Sequence, residues 1–188
     1  VPLTGVLLSV CTACAMTDPL VIDFSAATLS KPLPRIEGCV VRVGSVVDER
    51  KGKEDLGMFG GHVVEGRQVL PWLQQAVERL NTPAVEVGGR QDNPMKTRHL
   101  RLHIGLRQLY LHFLLTSVSA TSLVQAQYQI DQEPPYSQQY RGTDTRGNWT
   151  GTAGSMRTLF NDVLDDVVRQ MHPDIQQHCQ SGQAKSGT

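Results

Sequence analysis

The stretch that decides the fold is Arg98-His-Leu-Arg-Leu-His-Ile-Gly-Leu-Arg-Gln-Leu-Tyr-Leu-His-Phe-Leu-Leu-Thr116. Before Arg107 apolar and polar residues alternate, which is the pattern of a half-buried β-strand. The apolar positions on this strand are Leu100, Leu102, Ile104 and Leu106, followed by Leu109, Leu111, Phe113 and Leu115. Because the second set has the opposite parity, the pattern predicts a β-bulge between Gly105 and Gln108 or a break between two strands.

Segments on both sides of this strand have the periodicities of further strands and of two helices. Strand-like runs occupy residues 20–24, 39–47, 84–87, 117–130 and 139–149, with a turn at 131–135. The first helical stripe consists of Val69, Trp72, Leu73, Ala76, Val77 and Leu80. The second consists of Met156, Leu159, Phe160, Val163, Leu164, Val167, Val168 and Met171, with Ser155 as its N-cap and Pro173 as its end.

This order of elements predicts an α+β fold with an antiparallel-rich sheet, covered on one face by two amphipathic helices. We expect a signal peptide remnant at 1–13 and a lipid-anchored linker with the first strand at 14–38. A single α+β domain at 39–172 and a flexible tail at 173–188 follow.

The first fifteen residues are typical of a signal peptide that ends at a cysteine. Their apolar run is shorter than the roughly 20 residues that span a bilayer, but it suits a signal h-region. Small residues directly precede Cys14, which predicts cleavage before Cys14 and lipid attachment to it. Cys11 is a second candidate, although the bulky Val10 precedes it. One alternative is a buried first strand with two incidental cysteines. Another is that Cys11 and Cys14 form a C-x-x-C motif, but a redox motif needs a strand–helix–strand context and a zinc site needs a second pair of ligands, and neither is found here.

Composition narrows the class of protein. The 188 residues contain 18 Lys and Arg and 18 Asp and Glu, so the basic surface of a nucleic-acid binder is not expected. The 39% apolar and 19% charged residues suit a globular body. The glycines between Gly57 and Gly61 lack the lysine and hydroxyl residue of a phosphate-binding loop. We therefore expect no cofactor.

Cys39 and Cys179 lie far apart in the sequence and form a possible disulfide in an oxidising compartment. The alternative places Cys39 in a buried strand as a small apolar residue and Cys179 in the tail. Pairing requires Cα atoms within about 7 Å, which the sequence does not determine.

A glycine-rich loop is predicted at residues 48–66. Met58 and Phe59 lie next to Gly60 and Gly61, and these four residues form a candidate partner-contact loop. The alternative is that Met58 and Phe59 fold over the sheet edge. A charge-assisted hydrogen bond between Asp48 and Arg50 would brace the base of the loop.

The residues that most resemble catalytic or metal-binding groups are better explained as surface residues. His99 and His103 alternate with arginines on a strand face, and they and His112 lack cysteine or carboxylate neighbours at ligand spacing, so no metal site is expected. Asp162, Asp165 and Asp166 lie on a polar helix face near Arg169, at the spacing of ordinary surface ion pairs. We therefore expect that the protein is not an enzyme.

The run Val46-Val-Asp48-Glu-Arg50, followed by Leu56-Gly57 and Gly60-Gly61, resembles the YajG-like family of bacterial envelope lipoproteins. This resemblance implies an acylated outer-membrane lipoprotein and no activity. The layout is more distantly similar to the auxiliary lipoproteins of envelope ABC-type transport systems. Ala15 after the acylated cysteine favours the outer membrane over the inner membrane.

The leading hypothesis is a non-enzymatic outer-membrane lipoprotein on the periplasmic face, held by the acyl chains of Cys14. It would bind an envelope protein partner or support an envelope assembly. The alternative is a periplasmic carrier of an apolar ligand, held between the sheet and the helix that contains Trp72, or an auxiliary component of a lipid transport system.

Overall fold

A computed structural model describes residues 18–25, 32–81, 98–114, 116–147 and 151–181. The strands are β1 (Leu20–Asp23), β2 (Cys39–Asp48), β3 (Asp55–Phe59), β4 (His62–Arg67), β5 (Arg98–Leu114), β6 (Ser117–Ile130) and β7 (Tyr136–Gly147). The helices are α1 (Val69–Glu78) and α2 (Ala153–Ser181). The predicted strand at 84–87 lies outside the described residues.

The predicted α+β class is confirmed, but the strands form two sheets and not one. The larger sheet has the order β2-β5-β6-β7, and the smaller one has the order β1-β4-β3. β2 pairs with β5 and β1 pairs with β4 in parallel, while the other pairs are antiparallel. The second sheet escaped prediction because β3 and β4 are short and rich in charged residues and glycine, so neither shows a clear alternation.

The long strand β5 contains the predicted bulge. The register with β6 shifts between Leu106 and Gln108, which leaves Arg107 as the extra residue. Because one inserted residue reverses the parity of every later side chain, both sets of leucines face the core. β5 and β6 therefore remain paired from Leu100 and Ile130 up to Leu114 and Ser117.

The helix α2 packs its apolar stripe against β6 and β7. Gly142 of β7 permits this close approach, because a Cβ atom there would lie 2.3 Å from the main-chain oxygen of Val163. The helix begins at Ala153, and the Oγ1 of Thr152 accepts a hydrogen bond from the Ser155 amide. Thr152 is therefore the N-cap, and the prediction of Ser155 was wrong by one turn.

The prediction that α2 ends at Pro173 was also wrong, because the helix continues through this proline to Ser181. Pro173 removes one main-chain hydrogen bond, but Ile175 and Cys179 beyond it are almost completely buried. Their burial and the bond from Cys179 to Cys39 hold the last turns in place. Residues 173–181 of the expected flexible tail thus belong to the folded body.

The helix α1 matches its prediction and contacts α2 through a buried hydrogen bond. Trp72 is 1% exposed, and its Nε1 donates to Oδ1 of Asn161 at 2.8 Å. The Trp72 ring also packs against Phe24, with ring centroids 4.6 Å apart. Neither helix in the described part of the chain is long and apolar enough to cross a membrane.

Candidate functional site

The predicted loop at 48–66 is largely a β-hairpin, formed by β3, β4 and a turn at Gly60 and Gly61. Gly57 allows β3 to lie directly against β5. Its φ is 118°, and a Cβ atom at this position would lie 2.6 Å from the main-chain oxygen of Leu111. Both facts exclude an ordinary side chain at this residue.

The predicted brace between Asp48 and Arg50 is present at the base of the hairpin. Nε and Nη2 of Arg50 donate to the two oxygens of Asp48 at 2.9 and 2.8 Å, and Nη2 also donates to the main-chain oxygen of Lys53. Burial by itself raises the pKa of Asp48, but the hydrogen bonds and charge of Arg50 outweigh burial and lower that pKa below its ordinary value. This ionised pair fixes the path of the chain between β2 and β3.

The two apolar residues of the candidate partner-contact loop have different environments. Met58 is 62% exposed, whereas Phe59 is half-buried and packs against Phe113 with ring centroids 4.7 Å apart. A Cβ atom at Gly151 would lie 2.5 Å from the Phe59 ring, so this glycine makes room for the ring. Phe59 therefore folds inward, and Met58 is the member of the pair available for contact.

Met58 is one of three exposed apolar residues at the hairpin end of the molecule. Val63 is its direct partner across the β3–β4 ladder and is 42% exposed. Leu114 is 58% exposed and follows Phe113, which contacts Phe59. We call Met58, Val63 and Leu114 the hairpin patch.

The second surface is the side of the larger sheet that faces away from the helices, which we call the open sheet face. Its cations are Arg42, Arg101, Arg107 and Arg141, with His99 and His103 beside them. Arg42 and Arg101 are direct partners in the parallel β2–β5 register, an arrangement that places two like charges side by side. The carboxylate of Glu49 lies over Gly105 and pairs with Arg107 at 3.0 Å.

The other described residues around the groove on the open sheet face are mostly polar, with the exposed Val47 among them. Nδ1 of His103 shares a hydrogen bond of 2.8 Å with Oγ of Ser45, and Arg107 donates to Gln125 at 2.9 Å. A shallow groove of about 200 Å³ runs between these residues, with Gln127 and Ser137 on its far side. The surface is therefore extended, cationic and rich in hydrogen-bonding groups.

The histidines that resembled metal ligands are spread along this face. His99 and His103 are four residues apart on an extended strand, a spacing of about 13 Å, which is too long for one metal ion to bridge. Within the described ranges no group of three or more His, Cys, Asp or Glu residues is placed to hold a metal ion.

The acidic residues of α2 make ion pairs and hydrogen bonds. The prediction that they lie on a solvent-exposed face was wrong for Asp165. Asp165 is 7% exposed and accepts from Nη1 of Arg79 at 2.9 Å and from Nε of Arg169 at 2.8 Å. Burial alone raises the pKa of Asp165, but the hydrogen bonds and charges of the two arginines outweigh it, and the pKa is lowered. Asp162 pairs with Arg146, and Asp166 accepts from Gln170.

We expect Asp165→Asn to lower the free energy of unfolding at pH 7 by about 1–3 kcal/mol, since the guanidinium groups of Arg79 and Arg169 lose a charged, buried partner. The folded-state pKa of Asp165 lies below its unfolded value, near 4. Its contribution is therefore present above about pH 4 and is lost as the pH falls through the folded-state pKa. Urea unfolding at pH 7, 5 and 3 should show the gap between wild type and variant shrinking at pH 3. A gap that is the same at all three pH values would contradict this assignment.

A buried tyrosine cluster, which the sequence did not indicate, lies at the other end of the sheet. Tyr128 donates to Tyr140 at 2.6 Å, and Tyr140 donates to Oδ2 of Asp174 at 2.6 Å. The ring of Tyr136 stacks on Tyr128 with centroids 4.8 Å apart, and burial together with Asp174 raises the pKa of Tyr136 to about 12. Burial also raises the pKa of Tyr128 and Tyr140. The hydroxyls remain protonated at neutral pH and join β6, β7 and α2.

Cys39 and Cys179 are joined by a disulfide beside this cluster. Their Cα atoms are 5.2 Å apart, and the bond closes a sequence separation of 140 residues. It connects the start of β2 to the end of α2. Cys11 and Cys14 lie outside the described residues.

No protein-family model matches this chain, and no curated protein matches it. A crystal structure from Xanthomonas campestris, described as family DUF330, superposes with a TM-score of 0.51 at 14% identity, covering 89% of this chain and 99% of that one. A minor lipoprotein of Acinetobacter baumannii has a TM-score of 0.35 at 11% identity, covering 80% and 96%. Rare lipoprotein B from Shewanella oneidensis has a TM-score of 0.35 at 10% identity, covering 77% and 100%. This chain therefore shares the fold of the Xanthomonas protein.

Proposed function

We propose that this protein is a non-enzymatic lipoprotein of the bacterial outer membrane, anchored on the periplasmic side through Cys14, and that it binds an acidic protein partner on its open sheet face. The observation that carries the binding proposal is the open sheet face itself. Within the described ranges this face carries Arg42, Arg101, Arg107 and Arg141, and Glu49 pairs with Arg107. An acidic partner would gain from charge complementarity with this row of cations.

The anchor is supported by the residues before Cys14, which combine an apolar run with small residues at the expected cleavage position. The narrower assignment to the YajG-like family is part of this proposal and rests on the short motifs at residues 46–50, 56–57 and 60–61. The non-enzymatic role is supported by the acidic and imidazole side chains, which are held in ion pairs or spaced along an open strand. A carrier role is less well supported, because Trp72 is occupied by core packing and by its hydrogen bond to Asn161.

Charge reversal tests the binding proposal. Arg101→Glu with Arg141→Glu should weaken co-purification of the partner from detergent-solubilised membranes by about tenfold or more, because both cations face the partner. Arg67→Glu is the matched control, since Arg67 is exposed on β4, away from the open sheet face. Equal recovery of the partner with all three proteins would contradict the proposal.

The anchor has its own measurement. Intact mass of the membrane-extracted protein should show an acylated N-terminus at Cys14, and Cys14→Ser should leave the precursor unprocessed. An unmodified N-terminus upstream of Cys14 would overturn the anchor. The charge-reversal experiment would still test the binding surface independently.

A further inference from the structure

The chain that follows the proposed anchor joins the folded body at the hairpin end. The main-chain oxygen of Asp18 accepts a hydrogen bond of 3.0 Å from Nδ1 of His62, the first residue of β4 after the hairpin turn. Leu20, at the start of β1, pairs with Val64 of β4. The entry point of the chain is therefore beside the turn formed by Gly60 and Gly61.

The tether between the anchor and this point is short. Asp18 is four residues after Cys14, and four residues span at most about 14 Å even when fully extended. If Cys14 carries acyl chains that insert in a bilayer, the hairpin turn must lie within about that distance of the membrane surface.

Three exposed apolar side chains lie at this end. Five large apolar side chains are exposed in the part of the chain that the structure describes, and three of them form the hairpin patch. Met58 and Val63 are opposite each other on the ladder, so they share one face of the hairpin. Single exposed apolar residues are common on soluble proteins, but a group of them at the point of membrane attachment is not explained by chance exposure alone.

We propose that the hairpin patch rests on the bilayer that holds the anchor, with the side chains of Met58, Val63 and Leu114 in the boundary between headgroups and acyl chains. This proposal depends on the lipid anchor of the proposed function. The patch supplies a second contact beside the acyl chains. Two contacts also fix the orientation of the body, which attachment at a single point does not.

Fluorescence of a label at position 58 tests this directly. In the processed protein Cys14 is acylated and Cys39 is bonded to Cys179, so Met58→Cys introduces a single reactive thiol. We would attach an environment-sensitive fluorophore to it and reconstitute the full acylated protein in vesicles of phosphatidylethanolamine and phosphatidylglycerol. Leu114→Cys provides a second position on the patch, and Gln139→Cys provides an exposed control on the open sheet face.

We expect labels at 58 and 114 to shift to shorter wavelength on reconstitution and to be quenched several-fold more by spin-labelled lipid than the label at 139. Labels at 58 and 114 that are as accessible to aqueous iodide as the label at 139 would overturn the membrane contact, while flotation with the vesicles would show that the anchor is intact. Protein that fails to float would overturn the anchor and this inference together. A protein partner crosslinked at 58 in cells, with no lipid quenching in vesicles, would assign the patch to that partner and not to the membrane.

Discussion

Replacing both Cys39 and Cys179 by Ala is expected to lower the free energy of unfolding by about 3–5 kcal/mol. The disulfide closes 140 residues of sequence, so it removes much conformational freedom from the unfolded chain. It also holds the last two turns of α2, beyond Pro173, against the start of β2. Without this bond those turns would unfold first, because a main-chain hydrogen bond is already missing at Pro173 and the buried Cys179 would no longer be linked to β2.

Urea unfolding of the processed protein in detergent, with and without the Cys39→Ala and Cys179→Ala changes, measures this effect. The same protein with intact cysteines, unfolded under strong reductant, is the matched control and should approach the stability of the alanine variant. Equal midpoints for the oxidised protein and the alanine variant would show that the bond contributes nothing to stability.

The second large effect is expected at Trp72. Trp72→Ala should cost about 3–5 kcal/mol, because a fully buried aromatic side chain is removed and leaves a cavity. It also leaves Oδ1 of Asn161 without the donor that Nε1 of Trp72 provides. A change of this size would unfold a substantial fraction of a domain of ordinary stability.

Two further variants separate packing from the hydrogen bond. Trp72→Phe keeps much of the apolar contact with Phe24 but removes the donor to Asn161. Adding Asn161→Leu removes the acceptor that is left unpaired, so the double variant should recover part of the loss. Thermal unfolding of the three proteins provides the comparison. If Trp72→Ala unfolds at the wild-type temperature, Trp72 lines open space, and the apolar-ligand carrier becomes the better hypothesis.

The sequence predicted the elements in which the apolar pattern continues over many residues. Strand β5 and its bulge could be predicted because the leucines keep strict alternation on both sides of Arg107. The helix α1 has the same kind of signal at positions 69–80. The α+β class followed from these elements and from the strands around them.

The sequence did not predict contacts that depend on distant residues. The hairpin β3–β4 is too short and too polar to show a period, and its place beside β5 depends on Gly57 meeting Leu111. Pro173 is a reliable local signal for the end of a helix, but the burial of Ile175 outweighs it. In the same way, Asp165 has the spacing of a surface residue, and only the fold brings Arg79 to it.

For each of the two candidate surfaces, the sequence predicted some features and not others. The glycines around Met58 marked the hairpin, but the inward orientation of Phe59 required the ring of Phe113. The arginines and histidines of β5 were recognised as an outward face. Their juxtaposition with Arg42 could not be predicted, because it depends on the parallel pairing of β2 with β5.

Site-specific photo-crosslinking in intact cells tests the central claim, partner binding on the open sheet face, most directly. A photoreactive amino acid would replace Gln127 or Gln139 on that face, and Gln177 on the exposed side of α2 as the control. We predict one acidic protein crosslinked from 127 and 139 but not from 177, and its loss when Arg101→Glu and Arg141→Glu are added. Crosslinks from 177 alone, or crosslinks from 127 and 139 that survive charge reversal, would contradict the account.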